Sequence, residues 1–231
     1  MPIKGIVFDK DGTLFDFQAT WGAWSRGMIE AESGGDPVLR ERIAGVLGYD
    51  LGTGRFRPDS VVIASTTETV AEHLLPLLPG TTKAELMDRM NARAAGAPQV
   101  EAAPLAALLG RLAGMGLRLG VATNDTEAPA RSHLRAAGVE EMFSFVAGFD
   151  SGWGGKPEAG QLRAFAEAVG LRPEDCAMVG DSLHDLHAAR AAGMVAVGVL
   201  TGVAGRDVLE PAAAVVLDSI AELPDWIASQ P

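Results

Sequence analysis

The chain of 231 residues predicts an α/β fold: a doubly wound, Rossmann-like parallel sheet core carrying an inserted all-helical cap domain. Three observations carry that reading. The chain opens on a short apolar run, Ile6-Val7-Phe8, that stops abruptly at two acids, Asp9 and Asp11. Beyond residue 100, apolar runs alternate with helix-period patterns, the signature of right-handed βαβ units with helices on both faces of a parallel sheet. Between these regions, residues 17–100 show helical patterns and no strand series. The expected division is residues 1–16 with 101–231 as the core, and residues 17–100 as the cap.

The elements follow in order. Residues 3–8 form an apolar run, interrupted only by Lys4 and bounded by a turn signal, as a strand buried on both faces does. The insert carries helical patterns over residues 20–32, Pro37–Leu47, 60–78 and 83–95. Turn signals at Gly34-Gly35-Asp36-Pro37, Gly52-Thr53-Gly54 and Pro79-Gly80 separate them. Trp21, Trp24 and Met28 recur at helical spacing and are expected in the cap core or at its seam with the sheet. The core resumes with a helix over 104–115 and a strand over 117–123. A helix over 127–137 and a strand over 145–148 come next. A helix over 158–169, the strand Cys176–Gly180, the helix Leu183–Ala192 and the strand Val195–Val199 follow. A weaker strand, 214–217, closes the series. The four core helices stop at Gly116, Gly138, Gly170 and Gly193, the residue type that best accepts a left-handed helix terminus.

Composition narrows the function. Lys and Arg number 19 against 30 Asp and Glu, a net charge of −11, so no basic footprint for nucleic acid or an anionic membrane is expected. A small anionic substrate stays open, because one lysine and one metal ion can dominate a cleft. No uncharged apolar stretch reaches the ~18 residues of a membrane span, and the start does not resemble a signal peptide, so a cytoplasmic protein is expected. The single cysteine, Cys176, lies in a core-like run and reads as a small buried hydrophobe.

Four signals fall at or just after predicted strand ends. They are Asp9-x-Asp11-Gly12-Thr13; Thr123-Asn124; Lys156-Pro157 after a glycine-rich run; and Gly180-Asp181-Ser182-Leu183-His184-Asp185. Open α/β sheets bind ligands at this edge. Two carboxylates so close to an apolar strand repel each other unless a cation lies between them, which suggests a Mg²⁺ site. A phosphate monoester needs charge neutralisation, positioning and a nucleophile. Mg²⁺ and Lys156 can neutralise. The Thr123 hydroxyl, Asn124 and the backbone around Gly12 can cradle phosphoryl oxygens. Asp9 and Asp181 are hard oxygen ligands for the metal. One carboxylate can attack phosphorus and another can move the proton. His184 and His187 open a helix pattern and are expected to face solvent or pack. Arg55, beside a glycine-rich cap loop, is the candidate cap residue for gripping substrate, against a reading as ordinary solvated charge.

At these motifs the chain resembles the haloacid dehalogenase superfamily, and within it the helically capped branch of phosphoglycolate phosphatases and β-phosphoglucomutases. That pattern is Asp-x-Asp-Gly-Thr, then Ser or Thr, then Lys, then Gly-Asp-Ser-x-x-Asp, and all four elements stand here in order. The resemblance implies Asp9 as nucleophile and Asp11 as general acid and base. It implies Mg²⁺ held by Asp9, Asp11 through its carbonyl, and Asp181, with Asp185 in support, and a phosphoryl group bound by Thr123 and Lys156. The activity implied is a Mg²⁺-dependent phosphatase acting through an aspartyl-phosphate on a small phosphate ester, phosphoglycolate-like or a sugar phosphate. A phosphomutase needs the same motifs and remains the alternative, with a non-catalytic binding protein of the same fold behind it. Monomer and homodimer are both open. Lys10 and Phe17 stand where the family more often has an apolar residue and Ser or Thr; neither is expected to touch a catalytic position.

Overall fold

The computed structural model describes residues 3–57, 60–63, 65–94 and 99–230. The opening run forms β1 (Gly5–Phe8), buried along its length. The insert follows as α1 (Phe17–Ser33), α2 (Pro37–Leu47), β2 (Tyr49–Asp50), β3 (Arg55–Phe56), α3 (Thr67–Leu74) and α4 (Lys83–Ala94). The core resumes with α5 (Leu105–Gly114), β4 (Arg118–Ala122), α6 (Glu127–Ala136), β5 (Phe145–Ala147) and α7 (Gly160–Ala168). It ends with β6 (Cys176–Gly180), α8 (Leu183–Ala192), β7 (Val195–Val199), α9 (Arg206–Leu209), β8 (Val215–Leu217) and α10 (Leu223–Ala228).

Six strands form one sheet in the order β5-β4-β1-β6-β7-β8, every pair parallel. β1 sits between β4 and β6, so successive strands run outward from it in both directions. That reversal opens a crevice at the C-terminal ends of the central strands. Side chains alternate across the sheet. Ile6 and Phe8 join Leu109, Leu112, Leu134 and Leu223 on one face. Val7, Ala122 and Met178 join Leu162, Phe165 and Leu186 on the other. Both faces are thus covered by helices, which explains why the strands read as unbroken apolar runs. Gly116, Gly138, Gly170 and Gly193 have φ between 68° and 83°, the left-handed conformation expected of them.

The insert has its own apolar cluster, with Phe17, Trp21, Met28, Ile29, Ile43, Leu47, Leu74 and Leu86 buried together. Two local expectations change. The helix expected over 60–78 starts only at Thr67, where Thr66 Oγ1 accepts from Thr69 N–H as an N-cap. Ser60 instead bonds Leu47 O and Val62 N–H, holding residues 61–63 in a turn. The helix also tightens into a 3₁₀ turn at Leu75–Leu77, where Pro76 cannot donate. The insert, helical otherwise, contains the two-stranded ribbon β2–β3, closed by Asp50 Oδ1 accepting from Gly52 and Thr53 N–H at 2.8 Å each. The helix expected to end at 95 is seen to Ala94; residue 95 lies outside the described residues. Among the described residues, no helix is long and apolar enough to cross a membrane.

Candidate active site

The strand order fixes the site. Phe8 pairs with Val121 on β4 and with Val179 on β6. The residues that follow, Asp9, Thr123 and Asp181, therefore emerge side by side at one edge of the sheet. Asp9 N–H donates to Val179 O at 2.8 Å, which extends the ladder to the acid itself. Lys156 reaches in from the loop after β5. Its Nζ lies 2.6 Å from Asp9 Oδ1 and 2.6 Å from Asp185 Oδ1. Asp9, Asp181, Asp185 and Lys156 are all buried.

Each group is held from behind. Asp185 Oδ2 accepts from Ser182 N–H and Oγ, a capping box that opens α8 and leaves Oδ1 for Lys156. Asn124 Oδ1 accepts from Lys156 N–H at 2.8 Å, while Asn124 Nδ2 donates to Lys156 O at 2.9 Å. Asn124, expected at the phosphoryl group, thus anchors the lysine loop. Thr123 Oγ1 accepts from Asp125 N–H, and Gln161 Nε2 donates to Thr123 O. Gly12 is at φ 86°, and a Cβ there would lie 2.5 Å from the Asp181 carboxylate. Its N–H donates to Phe15 O at 2.7 Å, so Gly12 serves by having no side chain and does not offer a free donor to phosphate. Gly202 does the same from the loop after β7, where a Cβ would come 1.7 Å from Asp181 Oδ2.

The electrostatics are lopsided. Burial, reinforced by Asp185 and Asp11, raises the Asp9 pKa to about 7 against the opposing pull of Lys156. Burial and the neighbouring Asp9 and Asp185 raise Asp181 well above the carboxylate range. Burial works against the Lys156 charge, but Asp185 and Asp9 outweigh it and its pKa rises. One cation faces three carboxylates. Ligand oxygens of Asp9, Asp181 and Asp185 lie within 4.8 Å of one another. This all-oxygen donor set, with more negative charge than Lys156 balances, fits a hard divalent cation. The Asp11 side chain is not in that cluster; both its oxygens turn to Lys10 Nζ, at 2.7 and 2.6 Å.

The cluster opens into a cavity lined from the core by Asp9, Asp11, Thr123, Asn124, Lys156 and Asp181. From the insert it is lined by Phe17, Trp21, Trp24, Ile63, Met90 and Asn91. His184 also lines it, its Nδ1 3.3 Å from Lys156 O, whereas His187 is exposed. Arg55 does not reach this cavity. It lines a separate groove with Asp16, Thr201 and Gly202. Cys176 is buried, with burial pushing its thiol up to about 11, as a packing residue would show.

Sequence reasoning passed over Asp125 and His133 and gave Lys10 no place in the site. Lys10 is fully enclosed and touches Asp11, which corrects the expectation that it stands apart from the catalytic positions. Its sole signal in the sequence is a lysine where the strand's burial calls for an apolar residue. Nothing in the spacing links it to Asp125 or His133.

The model of the haloacid dehalogenase-like hydrolase family matches residues 3–193. The chain is 40% identical over 234 residues to the phosphoglycolate phosphatase of Rhodospirillum rubrum, covering 97% of this chain and 90% of that protein. Among solved structures, CbbY from Rhodobacter sphaeroides in complex with phosphate is similar at a TM-score of 0.71 and 22% identity, covering 96% of each chain. A hydrolase from Deinococcus radiodurans R1, solved with bound phosphate and sodium, is similar at a TM-score of 0.66 and 25% identity. It covers 98% of this chain and 96% of its own.

Proposed function

The chain belongs to the haloacid dehalogenase-like hydrolases, and from that membership we propose that it is a phosphoric monoester hydrolase acting on phosphoglycolate or a similarly small phosphorylated acid or sugar. The observation that carries this reading is the buried Asp9–Lys156–Asp185 bridge beside Asp181 at the sheet edge. The phosphoglycolate phosphatase name of the 40% identical relative supports the substrate class, and bound phosphate in the Deinococcus structure supports the ligand chemistry.

In this reading Asp9 attacks phosphorus and forms an aspartyl-phosphate. Asp11 gives a proton to the departing alcohol, then takes one from the water that cleaves the phosphoenzyme. Lys156 and the Thr123 hydroxyl hold the phosphoryl oxygens, and Asp185 orients Lys156. Asp9, Asp181 and the Asp11 carbonyl would hold Mg²⁺, with Asp185 beside them; the ion would supply positive charge where negative charge gathers on the phosphoryl oxygens. The apolar side chains from the insert exclude water while the first transfer occurs.

Phosphate release from a panel of small phosphate esters, with Mg²⁺ and with excess chelator, tests the proposal. Release from phosphoglycolate that stops with chelator supports it. Undiminished turnover in chelator removes the metal from the reading, and transfer of the phosphoryl group to a hydroxyl on a second sugar carbon would favour a mutase.

A further inference from the structure

Behind the catalytic carboxylates, Lys10 is fully buried and close to three acceptor groups. Its Nζ lies 2.6–2.7 Å from both Asp11 oxygens, 3.1 Å from His133 Nδ1 and 3.5 Å from Asp125 Oδ2. The Trp21 ring of α1 covers the ammonium, with its centroid 5.3 Å away. His133 Nε2 stands 2.7 Å from Ala94 O at the end of α4. A carbonyl only accepts, so Nε2 carries the proton and Nδ1 accepts from Lys10. An ammonium has three N–H groups; Asp11 and His133 accept from it, and the Asp125 carboxylate faces it as an ion-pair partner 3.5 Å away.

We propose that Lys10, seated by His133 and Asp125, is a positioning residue that holds the Asp11 carboxyl group in one orientation at the cavity edge. The proposal rests on the phosphatase reading above. Stability alone does not account for Lys10, since an apolar side chain of similar volume serves a core at least as well as a buried ion pair. What an ammonium adds is a fixed direction. Asp11 has to face the ester oxygen as its bond to phosphorus breaks, and a free carboxyl would sample several rotamers. The proton then passes from Asp11 to that oxygen while Asp9 takes the phosphoryl group, and Lys10 keeps its own proton throughout. Trp21 and Ala94 both belong to the insert, so the seat of Lys10 is built from both parts of the chain.

Single-turnover release of alcohol from two esters separates positioning from packing. An alkyl phosphate needs a proton at its leaving oxygen; 4-nitrophenyl phosphate does not. General acid catalysis contributes ~10²–10⁴-fold, so Lys10→Met is expected to slow the alkyl ester by about tenfold or more and the aryl ester by less than about threefold. Asp11→Asn should show the same selectivity. Equal slowing of both esters by Lys10→Met, or slowing of neither, overturns the proposal. Should Lys10→Met fail to fold, His133→Leu decides by the same ratio: a selective loss on the alkyl ester upholds the proposal, and an unchanged ratio overturns it. Failure of the phosphatase reading looks different, because the unmodified protein would then release alcohol from neither ester.

Discussion

Replacing the proposed nucleophile should make the metal-free protein more stable above neutral pH. Asp9 has its pKa raised from 3.8 to about 7, chiefly by burial. In the unfolded chain the group ionises near its ordinary value. In the folded chain it resists ionisation until pH passes about 7. The folded state is therefore not penalised below the unfolded pKa, and the penalty grows as pH rises toward the folded one. At 1.36 kcal/mol per pKa unit, the cost reaches about 4 kcal/mol at pH 8 and is less than half of that at pH 5. Asp9→Asn removes the charge, is nearly isosteric, and leaves an oxygen to accept from Lys156. Lys156 also keeps Asp185 at 2.6 Å, so no lone cation results. Urea unfolding in chelator at about pH 8 and pH 5 is the assay. The variant should gain about 2–4 kcal/mol over the parent at the higher pH and distinctly less at the lower. Saturating Mg²⁺ should narrow the gap by stabilising the parent. A variant that is equal to or weaker than the parent at pH 8 in chelator would refute the argument that Asp9 is held at an energetic cost.

Four further outcomes follow from the geometry. Lys156→Met removes the lone cation of the cluster and should lower kcat/KM by about 10²-fold or more, with weaker competitive inhibition by inorganic phosphate, measured by steady-state kinetics. Gly202→Ala places a Cβ 1.7 Å from Asp181 Oδ2; it should cost about 1–3 kcal/mol in thermal unfolding and raise the Mg²⁺ concentration for half-maximal rate. Gly27→Ala on α1, where nothing lies within 4 Å, should gain about 0.5–1 kcal/mol and leave that concentration unchanged. Arg55→Ala should change kcat/KM by no more than about twofold on any ester, because Arg55 lines a groove apart from the cavity.

Much of the fold was legible because its signals are local. Each core strand is a short apolar run, and each of four core helices ends where a glycine turns left-handed. The parts that escaped depend on competition between equivalent signals. Ser60 and Thr66 can each open a helix, and the choice fell to Thr66 because Ser60 Oγ is taken by Leu47 O, a partner 13 residues away. The ribbon Tyr49–Asp50 with Arg55–Phe56 has two residues per strand, too few for an alternation to show. In the site, Asp9, Thr123, Lys156, Asp181 and Asp185 were legible from residue type at strand ends. Which of them point at ligand and which brace a neighbour was not. Asn124 and Gly12 carry the same residue types in either role, and only the partners of the Asn124 amide and the Gly12 N–H separate the two.

The site also explains where the chain departs from good packing. Three carboxylates crowd one lysine in the interior, and Gly12 and Gly202 give up side chains so that Asp181 can fit between them. Each feature weakens the fold locally: like charges repel, buried acids resist ionisation, and glycine costs backbone entropy. All lie at the C-terminal edge of three adjacent strands whose ladders are rigid and whose faces are covered by helices. A sheet of that kind can carry a strained edge because its stability resides in the layers behind it. Lys10 shows the same division one residue away. As packing it is a poor choice, and as the group that fixes the orientation of the Asp11 carboxyl beside the cavity it has a purpose no apolar side chain could serve.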